Sequence, residues 1–283
     1  MTINARHTRA LGHGAIYLFA AAGAVVMLFP LVWTLSTSLK TIDKLVVTRI
    51  ELMPDPIAWS NYITLFDRMD VAKQFTNTMT IVSAALIGSL LICSLVAYAF
   101  ACIEFPGRNT MFILLLSTMM LPGVVTLIPY FLMWDRLGLV NTFYPLIIPR
   151  FLASNPFYIF LMVQFFRGLP KDLFDAARID GCGDLGIWRR IVLPTSLPVL
   201  ATVGIFTFQW AWNDFMSPLI YLSGDRHKWT LALGLNALVG FEGETTVHYQ
   251  MAFSILMIIP VVIVFALGQK YIIQGVTFSG IKG

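Results

Sequence analysis

Charge is what this sequence has least of. Asp, Glu, Lys and Arg make up 12% of its 283 residues, hydrophobic residues make up 58%, and the mean hydropathy is +0.78. A soluble domain carries about 25% charged residues, so a chain dissolved in water on all sides is excluded. The few charges are also unevenly placed. Residues 10–39, 74–103, 109–134 and 245–269 contain none. Two further runs are interrupted once each, 137–166 by Arg150 and 191–224 by Asp214. A helix that crosses a bilayer needs roughly 20 apolar residues, and every one of these runs is long enough.

Other scarcities narrow the function. The three cysteines, Cys93, Cys102 and Cys182, show no metal-ligand or redox spacing. They read as packing residues, and no metal site is expected. His7, His13, His227 and His248 lie outside or at the edges of the apolar runs, which leaves no material for an intramembrane proton relay. No G-x-x-x-x-G-K-[ST] phosphate loop is present, so the chain itself is not expected to hold ATP that way. No nucleophile–base pair or paired polar cluster stands out either, which counts against a membrane enzyme. The net charge of +4 reads as a topology signal, with no suggestion of nucleic acid.

What is present is a set of six spans, at about 14–36, 78–101, 110–133, 145–166, 196–220 and 250–272. In lipid, helices are the open-chain way to satisfy every backbone group. The expected fold is therefore all-α, a polytopic membrane bundle forming one transmembrane domain over residues 1–283. Arg6 and Arg9 precede the first span, but its apolar core exceeds that of a signal peptide, so it reads as an uncleaved span. Lys and Arg concentrate on the side that holds both termini once the long 37–75 loop is set aside, and that side is assigned to the cytoplasm.

The 37–75 and 223–249 loops then face outside. Gly224, Gly234, Gly240 and Gly243 make the second a turn-rich excursion with a short apolar piece. Either loop is a surface cover or a docking and gating element. Prolines recur inside the spans, among them Pro122, Pro129, Pro145, Pro149, Pro156, Pro218 and Pro260. They predict kinks, as packing features or as the lining of a path.

One cytoplasmic segment, 170–194, is charged and amphipathic in an otherwise oily chain. Pro170 suits a helix start, and Lys171 to Asp180 reads as a short helix. Leu173, Ala176, Ala177 and Asp180 are spaced to share one face. Gly181 and Gly183 allow a reversal. Asp184 is placed to cap a second helix with an apolar stripe of Leu185, Trp188, Ile191 and Val192. Periodicity leaves two readings: a helix lying on the bilayer, or an element gripped from outside it.

The spacing resembles the EAA loop of binding-protein-dependent ABC importers: E-A-A, three residues, G, nine residues, then I-x-L-P. Here Asp175-Ala176-Ala177 is followed by three residues, Gly181, nine residues and Ile191-Val192-Leu193-Pro194. Asp175 stands where the family usually has Glu, keeping the acid with a reach one methylene shorter. Asp180-Gly181 matches a frequent D-G, and Cys182 replaces a commoner Ala. The end of the chain, Gly275 to Gly283 with Thr277, Gly280 and Lys282, is similar to the G-x-T-x-G-x-x-K-G ending of carbohydrate importer permeases, above all the smaller maltose-type subunit. Phe278 and Ser279 are its departures. The AWND run, Ala211 to Asp214, fits the fifth span of that group.

The resemblance implies a coupling helix (Asp175, Ala176, Ala177, Asp180, Gly181, Leu193, Pro194) seated in a groove of a cytoplasmic ATPase. It implies a tail touching the same partner (Gly275, Thr277, Gly280, Lys282, Gly283). It also implies two ATPase subunits carrying ATP and Mg, a second six-span permease subunit, and an extracytoplasmic sugar-binding protein. The implied setting is a bacterial inner membrane and the implied cargo a di- or oligosaccharide, with glycerol phosphate or another organic solute, or a secondary transporter, as alternatives. Asp214, with Trp210, Trp212 and Asn213, is either part of a cavity wall that meets sugar or an interhelical or rim contact, the second being the expectation. Arg150 is expected to reach the outer interface or an acid such as Asp135.

Overall fold

The computed structural model describes the backbone of residues 3–45, 51–241 and 246–280, and the side chains of 16–45, 51–239 and 246–271. Helices and turns account for these residues, with no strand among them. In chain order the helices are α1 (Ile3–Ser38), α2 (Ser60–Arg68), α3 (Val71–Cys102), α4 (Arg108–Ser117), α5 (Gly123–Arg136), α6 (Tyr144–Ile147), α7 (Pro156–Arg167), α8 (Lys171–Ile179), α9 (Asp184–Ile187), α10 (Leu193–Thr195), α11 (Leu197–Asn213), α12 (Met216–Leu222), α13 (Leu231–Phe241) and α14 (Val247–Gly280).

The chain divides into two compact units. The first combines Met1–Met69 with Leu235–Ile259. Its α1 is apolar all round and exposed from Ile16 to Val32, which suits a helix solvated by lipid. The Asn61 amide donates to the carbonyls of Ser38 and Lys40, each at 2.9 Å, and Ser38 Oγ lies 2.8 Å from Tyr62 Oη. These bonds fasten α2 to the end of α1. A helix therefore sits inside the long 37–75 loop.

The second unit combines Asp70–Gly234 with Pro260–Gly283. Its axis is α3, packed between α7 and α11. Small residues recur every fourth position along α3, at Ala85, Ser89, Cys93 and Ala97, all buried. Such a ridge lets neighbouring helices approach closely, which is how helices pack where lipid removes the hydrophobic drive. Ile159, Met162, Val163 and Phe166 of α7, with Val199 and Val203 of α11, fill the space beside it. A methyl group on Gly88 would stand 2.9 Å from the Phe151 ring, so glycine is required there.

Among the described residues, four helical runs are long and apolar enough to cross a membrane: Ile16–Ser38, Val71–Cys102, Tyr144–Arg167 and Val247–Tyr271. The expected third and fifth spans differ from straight helices. Arg108–Met120 and Gly123–Arg136 meet at 97°, and Asp184–Thr195 meets Leu197–Asn213 at 81°; counting each pair once gives six. The first break has a local cause. Pro122 offers no N–H and forces Leu121 into an extended conformation (ψ 118°). The expected fifth span also stops early. Asp214 leaves the helical region (ψ 114°), and its carboxylate accepts from the Ser217 N–H at 3.1 Å, starting α12 afresh. Within the fourth run Asn155 caps α7, accepting from the Tyr158 N–H at 3.2 Å ahead of Pro156.

Candidate functional site

The 170–195 segment folds as a helical hairpin. Pro170 is extended (ψ 128°), and α8 begins at Lys171, as its sequence suggests. The helix ends on a Schellman closure. The Gly181 N–H donates to the Arg178 carbonyl at 3.0 Å, and the Cys182 N–H donates to the Ala177 carbonyl at 2.9 Å. The pattern requires a left-handed residue, and Gly181 has φ +77°. No atom would obstruct a side chain at Gly181. Its constraint is purely conformational.

The face expected from spacing is split by the structure. Phe174 and Ala177 are buried against α3, α4 and α7, whereas Leu173, Asp175, Ala176, Ile179 and Asp180 are exposed. Ala177 therefore anchors the hairpin, and Ala176, its neighbour in the motif, faces out. Ile179 is 86% exposed.

The return arm also departs from expectation. Leu185 is exposed, and the buried residues are Ile187 and Val192. These lie five apart because Trp188–Val192 forms a π-turn. The wider turn rotates the register that a 3.6-residue period assumes. Asp184 does not cap the arm; Gly183 occupies that position with no side-chain bond. The Asp184 carboxylate instead accepts from Tyr98 Oη of α3 at 3.1 Å and lies 3.8 Å from the Arg178 guanidinium. Arg178 also reaches Asp175 at 3.7 Å. One arginine thus links both arms of the hairpin. The i, i+3 spacing of Asp175 and Arg178 was visible in the sequence, but the link to Asp184 depended on the reversal at Gly181. Leu193 is half-buried and Pro194 exposed at the start of α10, just before the bend at Ser196.

Trp210, Trp212, Asn213 and Asp214 do not form one wall. Trp210 is 70% exposed, whereas Trp212 is buried, stacked on Phe208 with ring centroids 5.4 Å apart and edge-on to Phe75 at 6.0 Å. The Asn213 amide donates to the Gln209 carbonyl one turn back at 2.9 Å. Asp214 makes the local cap described above. Arg150 lies with Asp214, Thr78 and Thr230 around one small internal cavity. Gly275, Thr277 and Gly280 lie on the last turns of α14, their side chains outside the described residues, as are Lys282 and Gly283.

The turns over 225–231 are tied to α3. The Asn77 amide donates to the carbonyls of His227 at 2.8 Å and Trp229 at 3.0 Å, and Thr78 Oγ1 accepts from the Leu231 N–H at 2.9 Å. The apolar piece expected in the 223–249 loop is α13.

Residues 101–278 match the family model described as "Binding-protein-dependent transport system inner membrane component". The arabinooligosaccharides transport system permease protein AraQ of Halalkalibacterium halodurans is 36% identical over 263 residues, covering 92% of this chain and 93% of that protein. The diacetylchitobiose uptake system permease protein NgcG of Streptomyces coelicolor is 31% identical over 274 residues, covering 96% and 88%. Among solved structures, a chain of a bacterial ABC transporter involved in the import of the acidic polysaccharide alginate superposes with a TM-score of 0.81 at 26% identity, covering 94% of this chain and 98% of that one.

Proposed function

Because the chain belongs to the family of binding-protein-dependent transport system inner membrane components, we propose that it is the permease subunit of an ATP-driven importer whose cargo is a carbohydrate, a di- or oligosaccharide. As a family member it is an integral inner-membrane transport subunit. Arabinooligosaccharide, diacetylchitobiose and the acidic polysaccharide alginate, the cargoes in the names of its relatives, are all carbohydrates. In this reading the chain is one transmembrane domain of six spans with both termini in the cytoplasm. A second permease subunit completes the path, two ATPase subunits bind ATP and Mg, and an extracytoplasmic binding protein delivers sugar at the 37–75 and 223–249 loops.

The observation that carries this reading is the two-sided hairpin. Phe174, Ala177, Ile187 and Val192 root it in the bundle, while Leu173, Ala176, Ile179 and Asp180 are left uncovered. Burying a large apolar side chain is worth about 1.5–3 kcal/mol, so the root is firm and the segment moves as one piece. An exposed apolar face beside Asp175 suits a protein groove better than water. Closure of the ATPase dimer on ATP would draw such a lever inward and switch the cavity between inward and outward access. ATP drives the switch only through its different affinity for the two states. The C-terminal residues Gly275, Thr277, Gly280, Lys282 and Gly283 would add a second contact to the same partner.

The test is reconstitution of the chain with its second permease, ATPase and binding protein. Asp175→Lys should leave membrane insertion intact and abolish ATP-dependent sugar uptake, with weakened ATPase association. Normal uptake in that variant would refute the coupling role.

A further inference from the structure

A second site lies at the root of the hairpin, between α8 residues Lys171, Asp175 and Arg178 and the ends of the bundle helices. Three membrane-level elements end together there: α3 at Cys102, α7 at Arg167, and α4, which begins at Arg108. With the first turn of α8 they enclose a cleft of about 520 Å³. Leu169 and the edge of Phe174 contribute an apolar floor, and Arg108, Arg167 and Lys171 contribute cations. A neighbouring cavity of about 330 Å³ shares Arg108 and Glu104 and extends along the first turn of α4.

The charge in this cleft is unbalanced. Arg178, at its edge, is matched by Asp175 and Asp184. Among the described residues no carboxylate pairs with Arg108, Arg167 or Lys171. Arg108 donates to the Ile103 carbonyl at 3.1 Å, and the Arg167 guanidinium sits 5.4 Å from the Phe112 ring centre. These contacts orient the cations without neutralising them. Glu104, exposed at the junction of the two cavities, is the one unpaired acid against three bases. The first turn of α4 contains no acid, and its N-terminus has no side-chain cap.

We propose that this cleft binds the phosphate headgroup of an anionic phospholipid of the inner leaflet, with its glycerol and first acyl carbons against Leu169 and the edge of Phe174. The proposal rests on the cytoplasmic orientation given above. Uncompensated cations between helix ends at headgroup depth attract anionic lipids, and the apolar floor favours an amphiphile over a free anion. Bound lipid would brace the root of the hairpin beside Asp175 and leave Ala176, Ile179 and Asp180 for the ATPase.

The test uses the full-length chain in vesicles of phosphatidylcholine containing a trace of spin-labelled phosphatidylglycerol or, separately, spin-labelled phosphatidylcholine. The wild type should hold labelled phosphatidylglycerol in preference to labelled phosphatidylcholine. Arg167→Gln with Lys171→Gln should lower that preference by about tenfold, while Arg167→Lys with Lys171→Arg should keep it. Arg189→Gln with Arg190→Gln removes two exposed bases outside the cleft and should also keep it. Equal retention of both lipids by the wild type would overturn the proposal. So would displacement of the labelled lipid by millimolar inorganic phosphate, which would make this a site for a soluble anion. Loss of lipid preference when the ATPase binds would reassign the cleft to a protein contact and also overturn it. Sugar uptake measured in parallel keeps the outcomes apart: failure of the coupling reading shows in Asp175→Lys, and failure of this one shows in lipid retention.

Discussion

At the level of single residues, conformation and charge separate cleanly. Gly181 and Gly183 are two positions apart, and neither has an atom within 4 Å of where a side chain would start. Only Gly181 is left-handed. Gly181→Ala is therefore predicted to cost about 1–2 kcal/mol and to loosen the reversal, whereas Gly183→Ala should be close to neutral. Thermal unfolding of the purified chain, read beside uptake, distinguishes them. Asp175→Glu lengthens the side chain by one methylene towards the usual residue of the family. It should support uptake at least as well as the wild type, in contrast to Asp175→Lys. The Asp175–Arg178 pair is half-exposed on both sides and is worth at most about 0.5 kcal/mol. An effect of Asp175 substitutions on uptake far larger than that would point to a partner outside this chain.

Individual elements carry the next set of consequences. The return arm is held by Ile187 and Val192, both fully buried. Ile187→Ala should destabilise the hairpin by about 2–5 kcal/mol while leaving every exposed residue in place. Faster backbone hydrogen exchange across 184–195, together with weaker ATPase association, is the expected result. Unchanged exchange would show that the arm is held by something other than its packing. On the opposite side, the Asn77 amide pins the 225–230 turn with two bonds. In that turn the His227 backbone N–H, and then Lys228, hold the Asp225 carboxyl below its ordinary value of 3.8. A group with a lowered folded value stabilises the structure above its ordinary value and ceases to do so as pH falls through the lowered one. Exchange at His227 and Lys228 should thus accelerate below pH 3.8 in the wild type, and Asp225→Asn should remove that acid dependence.

For the whole molecule the governing quantity is the placement of Lys and Arg about the apolar runs. With the termini inside, Cys182 lies inside and Asp225 lies outside. In a background with Cys93 and Cys102 changed to Ser, a membrane-impermeant maleimide should reach Cys182 in inverted vesicles only. With Cys182 also changed to Ser, Asp225→Cys should be labelled in right-side-out vesicles only. The reverse pattern would invert the topology, and with it both the coupling surface and the lipid cleft.

The sequence alone was sufficient for the class of fold, the apolar runs, the start of α8 and the turn at Gly181. These follow from local chemistry: a run of uncharged residues, a proline that tolerates a helix start, a glycine that tolerates positive φ. It was not sufficient for the bend at Leu121–Pro122, the early stop at Asp214, or the divergence of Trp210 and Trp212. Nor did it assign Ala177 and Ile187 to the buried side in place of Ala176 and Leu185. Periodicity sorts residues into faces; which face is covered depends on where neighbouring helices lie. Here Phe174, Ala177 and Ile187 joined the buried cluster built around α3, α7 and α11. The π-turn that rotated the return arm, and the arginine that joins both arms, exist only once that packing is made.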